Sequence, residues 1–146
     1  MNVLALQSAD ISALLEIEKH CFPDPWKEES WQSAFVRPDF FSFALKDNGI
    51  LIGFVCGTAL FEESELLKIA ILPAYRGNGY AERLLETLLE EAKRRGAEKM
   101  FLEVREGNVP ARKLYEKTGF TQTRIRKKYY DDGENAVEMV KSLDKE

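Results

Sequence analysis

Metal-binding and thiol side chains are scarce in this chain of 146 residues. It contains two cysteines, Cys21 and Cys56, and one histidine, His20. There is no CxxC pair and no His/Cys spacing of the kind that holds a metal, so the sequence predicts no metal site. His20 and Cys21 are neighbours on a predicted helix, where successive side chains point about 100° apart, so we expect packing roles for both.

An excess of positive charge is also lacking. The chain has 21 Lys and Arg against 25 Asp and Glu, a formal charge of −4, which argues against sequence-independent nucleic-acid binding. We interpret its one basic cluster, RIRKK at 124–128, as the solvated face of a strand.

Long apolar runs are missing as well. None approaches the roughly 18 residues that a membrane span requires. The first ten residues, MNVLALQSAD, lack the basic region and cleavage site of a signal peptide. We therefore expect a cytoplasmic protein that contacts neither membrane nor nucleic acid directly, as a monomer or weak dimer.

The composition is that of a globular protein, with 45% hydrophobic and 32% charged residues. The length suits a single domain over residues 1–146. The predicted order of elements, β-α-α-β-β-β-α-β-α-β-β, indicates an α/β (α+β) arrangement of helices around one mixed sheet. Strands are expected at 3–6, 40–45, 50–61, 64–72, 99–104, 120–130 and 134–143.

Four helices are expected between these strands. Asp10 is predicted to cap the first, which the prolines of CFPDPW end; KEESWQSAF forms the second, before Pro38. Asn108 is predicted to cap the fourth, which ends before Gly119. The third is the most periodic, with Gly96 after its end and one apolar face formed by Leu84, Leu85, Leu88, Leu89 and Ala92.

Two glycines stand where the third helix should begin, in AYRGNGYAERLL at 74–85. Glycines there let the backbone approach a ligand, and the unpaired N–H groups of a helix N-terminus attract anions. A strand-to-helix turn that needs positive φ explains an isolated glycine pair at least as well. Neither a Walker ending nor a full GxGxxG is present.

The surrounding sequence resembles a known family. RGNGYA at 76–81 fits the Arg/Gln-x-x-Gly-x-Gly/Ala pattern of the acetyl-CoA pyrophosphate loop in GNAT N-acetyltransferases. FLEVREGNVPARKLYEKTGF at 101–120 is similar to the family's second half, where N..A..LYEK.GF recurs. The resemblance implies the GNAT fold, a mixed and mostly antiparallel sheet that splays between the two strands holding the cofactor. It implies acetyl-CoA as cosubstrate and no metal.

Four stretches are similar to the RimI type within this superfamily, which acetylates the N-terminal alanine of a ribosomal protein: 22–31, 66–85, 102–120 and 125–130. An extra Asp-Pro before Trp26, and GENA at 133–136 where HEDA is common, depart from that type on the acceptor side. The resemblance implies a ribosomal-protein N-terminus as substrate. A small amine or lysine acceptor, and a non-catalytic acyl-CoA sensor, are the alternatives.

Glu103 is the candidate base. In KMFLEVR, alternation puts Glu103 on the strand face opposite Met100, Leu102 and Val104. From the pattern alone, a carboxylate paired with Arg105 or lying at the sheet rim fits equally; the resemblance implies the general base, acting directly or through water. Deprotonating an α-amine at pH 7 costs about 1 kcal/mol against about 4.6 for lysine, which favours an N-terminal acceptor.

Tyr115 is the candidate acid, on the inward stripe of the fourth helix. A core aromatic is the alternative. The resemblance implies that its phenol protonates the leaving CoA sulfur.

The resemblance assigns the remaining site residues. Asn108 would bond the pantetheine arm as well as capping its helix. Backbone groups of Ile69, Ala70 and Ile71 would bond the pantetheine amides, with an N–H near Ile71 polarising the thioester. Arg76 would lie near the phosphates, and the pyrophosphate contacts would come from Gly77, Asn78, Gly79, Tyr80, Ala81 and Glu82. Acceptor-groove walls are expected at Trp26, Trp31, Tyr129 and Tyr130, and acidic contacts at Glu62, Glu63 and Glu65; packing or simple exposure explains each of these equally.

Overall fold

One seven-stranded sheet organises the protein, described here for residues 1–143 of a computed structural model. Its strands are Asn2–Ala5 (β1), Phe40–Asp47 (β2), Ile50–Leu60 (β3), Glu63–Ile71 (β4), Lys99–Arg105 (β5), Thr121–Arg126 (β6) and Ala136–Ser142 (β7). The order across the sheet is β1-β2-β3-β4-β5-β7-β6, and every neighbouring pair is antiparallel except β4–β5. The mixed, mostly antiparallel sheet expected from the sequence is confirmed.

Four helices flank this sheet: Ile11–Cys21 (α1), Glu28–Phe35 (α2), Tyr80–Arg94 (α3) and Val109–Lys117 (α4). The helix α3 provides the crossover that parallel neighbours such as β4 and β5 require. None of the helices in the described part of the chain is long and apolar enough to cross a membrane.

Each face of the sheet carries its own apolar core. The five periodic residues of α3 are buried with Tyr115 of α4 against one face of the strands. Leu14 of α1 and Trp31 of α2 pack against alternate strand residues, such as Phe54, on the other face. Helices α1 and α2 contact mainly β2, β3 and β4, and among the described residues the apolar core on this second face includes none from β5, β6 or β7. That uncovered surface is called the open face below.

Two predicted details were wrong. Asp10 occupies the N-cap position of α1, but its side chain makes no cap hydrogen bond. Its carboxylate instead accepts the Gln7 N–H at 2.9 Å and pairs with Lys46 at 3.0 Å. Strand β6 was expected to reach residue 130 but ends at Arg126, because residues 127–135 form a loop with positive φ at Lys128 (53°) and Gly133 (87°).

The parallel contact between β4 and β5 is short. It consists of three pairs, Glu63 with Lys99, Ser64 with Met100 and Glu65 with Phe101. Beyond these, β4 continues to pair with β3 and β5 with β7, but the two strands no longer pair with each other. A gap therefore opens in the middle of the sheet, bordered by the second halves of β4 and β5.

Trp31, expected at an acceptor groove, is fully buried instead. Its indole packs edge-on against Phe54 and Trp26, with ring centroids 5.3 and 4.8 Å away, and also contacts Phe35 and Phe40. Its Nε1 has no hydrogen-bond partner. The structure therefore gives Trp31 a packing role, because helix α2 needs a large apolar anchor on the sheet.

We expect Trp31→Ala to destabilise the fold by about 3–5 kcal/mol, because it leaves a large cavity. Trp31→Phe should cost about 2 kcal/mol or less, since it keeps most of the ring and removes an unpaired indole N–H. Chemical denaturation measures both. Equal, small losses in the two variants would contradict the packing role.

Candidate active site

The end of β4 lines the gap on one side. Ile69, Ala70 and Ile71 pair with Val55, Phe54 and Gly53 of β3. On the side facing β5 they have no strand partner, so backbone groups there are available to a ligand that binds as an added strand would. The Ile71 carbonyl is an exception, because it accepts the Arg76 Nε–H at 2.9 Å.

The glycine loop, residues 76–79, follows the short 3-10 helix Pro73–Tyr75 after β4 and leads into helix α3. Gly77 and Gly79 have φ of 82° and 79°, and a Cβ built on either would meet no atom within 4 Å. The first hydrogen bond of the helix runs from Arg83 N–H to the Gly79 carbonyl, so the preceding amides have no intrahelical acceptor. The glycines thus satisfy a turn and also leave space around the positive end of a 15-residue helix.

The polar side chains of the loop, although exposed, bond protein atoms nearby. Asn78 donates through Nδ2 to the Tyr75 carbonyl at 3.1 Å and the Arg76 carbonyl at 3.3 Å. The Arg76 guanidinium, expected near the phosphates, instead bonds Ile71 and contacts the Cys21 sulfur at 3.5 Å. Any anion at this loop is therefore offered backbone amides rather than these two side chains.

The first turn of α3 is fixed to its surroundings. Glu82 forms an ion pair with Lys117 at the end of α4, 2.9 Å away. Tyr80 and Ala81 pack against the apolar core beneath α3. These contacts hold the start of α3 beside α4.

Asn108 caps helix α4 as predicted. Its Oδ1 accepts the Ala111 N–H at 3.2 Å. The preceding Gly107 donates its N–H to the Glu134 carboxylate at 2.8 Å, and a Cβ at Gly107 would meet that same oxygen at 2.8 Å. The turn before α4 is thus built for close approach of the loop that contains Glu134.

Glu103 lies on the open face of β5, as the alternation of the strand predicts. Its carboxylate forms an ion pair with Arg126 of β6, Oε2 to Nε 2.7 Å. Interaction of the Tyr129 hydroxyl with this carboxylate raises the pKa of Tyr129. The expected alternative partner, Arg105, pairs with other carboxylates. Partial burial, together with the negative charge of Glu103, raises the pKa of Glu65 on the neighbouring strand.

Tyr115 lies on the opposite, helix-covered side of the sheet, within the apolar core of that side. Its side chain is 6% exposed and packs edge-on against Phe120. Burial, with a smaller contribution from Tyr130, raises the pKa of its hydroxyl, so the phenol stays protonated at neutral pH. Tyr130 interacts electrostatically with Glu103 as well. Side chains on opposite faces of a sheet can act on one substrate only where its strands separate, as β4 and β5 do after three residue pairs.

An open cleft of about 680 Å³ adjoins Glu103. It lies beside the β3–β4 turn and the face of β5 and β7. Arg126 is the one cation among the described residues that line it. Its carboxylates, which define the acidic cleft, are Asp39, Glu62, Glu63, Glu65, Glu103 and Glu138. Such a surface attracts cations.

Sequence reasoning missed two residues of this cleft, Glu138 and Arg126. Glu138 lies directly opposite Glu103 in the β5–β7 register. Arg126 bridges the two carboxylates, with a nitrogen 3.5 Å from Glu138. The signal was the alternation of AVEMV in β7, which sends Glu138 to the same face as Glu103, but only the register identifies them as neighbours.

The aromatic residues expected at the acceptor groove are dispersed. Tyr129 lines the acidic cleft and packs edge-on against Tyr130, ring centroids 5.1 Å apart. Trp26 lies on the α1–α2 loop (residues 22–27), where its N–H donates to Glu18 at 3.0 Å. Within residues 1–143, no cluster of three or more His, Cys, Asp or Glu side chains is arranged to hold a metal ion.

Comparison with known proteins decides the family. The model of the acetyltransferase (GNAT) family matches residues 11–120. The chain belongs to the GNAT acetyltransferase family. The prediction of an acyltransferase is thereby confirmed, and with it the fold expected for that family.

Similar GNAT proteins match almost the whole chain. An Escherichia coli K12 relative named "[Ribosomal protein bS18]-alanine N-acetyltransferase" is 34% identical, covering 96% of this chain and 97% of its own. The Haemophilus influenzae protein of that name is 37% identical, covering 96% and 98%. A crystal structure of the ribosomal-protein-S18-alanine N-acetyltransferase from Escherichia coli superposes with a TM-score of 0.90 at 32% identity, covering 99% and 95%. The resemblance to the RimI type is therefore confirmed.

Asn108 allows its capping role to be separated from ligand binding. We expect Asn108→Ala to cost about 1 kcal/mol of stability, because the first turn of α4 loses its cap. Asn108→Asp should keep that stability, since an aspartate caps equally well. Thermal denaturation of both variants, with and without acetyl-CoA, measures the two effects. A weaker acetyl-CoA stabilisation in both variants would assign the amide N–H to the ligand, because both lack it, whereas an unchanged stabilisation would leave Asn108 with the capping role only.

Proposed function

We propose that this protein transfers an acetyl group from acetyl-CoA to the N-terminal alanine of ribosomal protein bS18, in the cytoplasm and as a single catalytic domain. The observation that carries the proposal is the placement of Glu103 and Tyr115. Glu103 lies on the open face of β5 beyond the last pair with β4, and Tyr115 offers a protonated phenol on the helix-covered side, so both would face a substrate held in the gap. The names of the relatives support the choice of acceptor.

The gap and the glycine loop suit acetyl-CoA. Amides from Gly77 to Glu82 would hold the pyrophosphate at the start of α3, because their N–H groups and the helix dipole favour an anion. The free edge of β4 from Ile69 to Ile71 would bond the pantetheine amides as an added strand does. The thioester then lies between Glu103 and Tyr115.

The reaction follows from these two groups. The α-amine loses a proton to Glu103, directly or through water, and its nitrogen forms a bond to the thioester carbonyl carbon. A backbone N–H near Ile71 stabilises the oxyanion. The carbon–sulfur bond then breaks, Tyr115 donates its proton to the sulfur, and the nitrogen gives its remaining extra proton back to the Tyr115 phenolate, directly or through water. The products are the acetylated amine and CoA, and Glu103 releases its proton to solvent. Arg126 must release Glu103 first, since an ion pair at 2.7 Å occupies the base.

The acidic cleft favours a cationic acceptor. The described residues that line it include six carboxylates and one cation, and the cleft lies along the open face rather than in a closed pocket. An extended peptide with a charged N-terminus fits this shape better than a small amine does. Lysine side chains are the second candidate acceptor. Their higher pKa makes them harder for a single base to deprotonate.

A panel of acceptors tests the proposal. The protein is incubated with acetyl-CoA and with peptides matching the bS18 N-terminus, the same peptides with a blocked α-amine, lysine peptides and polyamines, and products are read by mass spectrometry. We expect acetylation at the free alanine amine alone. Modification of lysine or polyamine instead would replace the acceptor assignment, and tight CoA binding without transfer to any amine would favour a sensor.

Glu103→Gln should lower kcat about 10²-fold or more while acetyl-CoA affinity holds, because only the proton acceptor is lost. The loss should be greatest at low pH, where an α-amine of pKa about 7.7–8 is mostly protonated. A pH–rate series on the wild type and the variant measures it. Parallel pH profiles would remove Glu103 from the role of base.

Tyr115→Phe should slow acetyl transfer about 10²-fold without weakening acetyl-CoA binding, because the ring is retained and the proton donor is lost. Single-turnover rates and calorimetric affinities separate the two effects. If affinity or folding fails while the rate survives, Tyr115 is a packing residue only.

A further inference from the structure

Arg105 is the last residue of β5 and projects on the same face as Glu103. Its side chain is 21% exposed. The proposed reaction gives it no role. Its surroundings nevertheless include three carboxylates and an aromatic ring, drawn from two separate loops.

One group of contacts joins Arg105 to the β6–β7 loop (residues 127–135). Its Nη1 lies 2.8 Å from Asp132 and 3.0 Å from Glu134, and its guanidinium lies 4.1 Å from the centre of the Tyr130 ring. Glu134 uses its other oxygen to accept the Gly107 N–H at 2.8 Å. Arg105 therefore fixes this loop to the turn that begins α4.

A second contact joins Arg105 to the α1–α2 loop. Its Nη2 lies 3.7 Å from Asp24, whose side chain is 80% exposed. The same loop is anchored at Trp26, whose N–H bonds the fully buried Glu18, which in turn pairs with Lys68 at 2.7 Å. The ammonium of Lys68 lies 4.9 Å from the Trp26 ring.

These contacts form a bridge across the end of β5. Arg105 contacts the β6–β7 loop through short hydrogen bonds, whereas its ion pair with Asp24 is longer and exposed to solvent. Exposed ion pairs contribute little to stability and break readily, so the ion pair between Arg105 and Asp24 is the contact that breaks first. An acceptor with cationic side chains would compete with Arg105 for Asp24.

We infer that Arg105 is a positioning residue that connects the α1–α2 and β6–β7 loops beside the gap, and that its ion pair with Asp24 breaks when the acceptor binds. This inference rests on the proposed function for its kinetic part alone. The mechanical part concerns the loops and is measured without any acceptor.

Amide hydrogen exchange tests the mechanical part. In Arg105→Gln we expect exchange at both the Trp26 and Gly107 amides to accelerate about threefold or more, because both loops lose their tie. In Asp24→Asn only the Trp26 amide should accelerate. Asp131→Asn is the matched control: Asp131 is exposed in the β6–β7 loop and is not among the contacts of Arg105, so neither amide should change.

Steady-state kinetics test the positioning part. Arg105→Gln should raise the KM for the acceptor peptide about fivefold or more, with the KM for acetyl-CoA within about twofold of wild type. Arg105→Lys keeps the positive charge but loses the planar guanidinium that bonds two partners at once. Its KM for the acceptor should therefore lie between those of the wild type and Arg105→Gln.

The outcomes separate the two proposals. Unchanged exchange at Trp26 in both Arg105→Gln and Asp24→Asn would overturn the bridge, whatever the enzyme acetylates. Faster exchange with an unchanged acceptor KM would overturn the positioning role. If no peptide is acetylated but the exchange pattern holds, the assignment of acceptor fails and the bridge remains.

Discussion

The separation of β4 from β5 after three residue pairs is the constraint on which the rest of the structure depends. A continuous sheet would satisfy every backbone group and keep its two faces apart. The gap instead exposes one edge of β4, and in the proposed reaction it lets Glu103 from one face and Tyr115 from the other act on one substrate. The crossover through α3 makes this possible, because it delivers β5 beside β4 while starting the helix at the mouth of the gap.

The glycine loop depends on the same geometry. The chain must leave β4, turn and enter α3 within a few residues, and the two positive φ values accomplish this. No side chain caps the helix there, so its first amides stay available. In the proposed function, a ligand that uses those amides would offset the conformational cost of the glycines.

The regular elements and individual residues differ in how far the sequence predicts them. Local periodicity was sufficient for α3 and for the face of β5 that carries Glu103, because both follow from burial of one face. The capping role of Asn108 could also be predicted from the neighbouring sequence alone. Trp31 was assigned wrongly, since an aromatic residue before a groove and one in a core have the same sequence pattern. The partners of Glu103 and Arg105 could not be predicted, because they depend on the strand register and on loops that are distant in the chain.

The cross-strand pair of Glu103 and Glu138 has one more consequence. Like charges directly opposite each other repel, and Arg126 serves both as a common counter-ion. Removing Arg126 would leave Glu103 without its ion-pair partner, while Glu138 would keep its ion pair with Arg124 at 3.2 Å. A cation that bound between the two carboxylates would therefore replace Arg126 rather than add to it, and the electrostatic balance of this surface would be conserved.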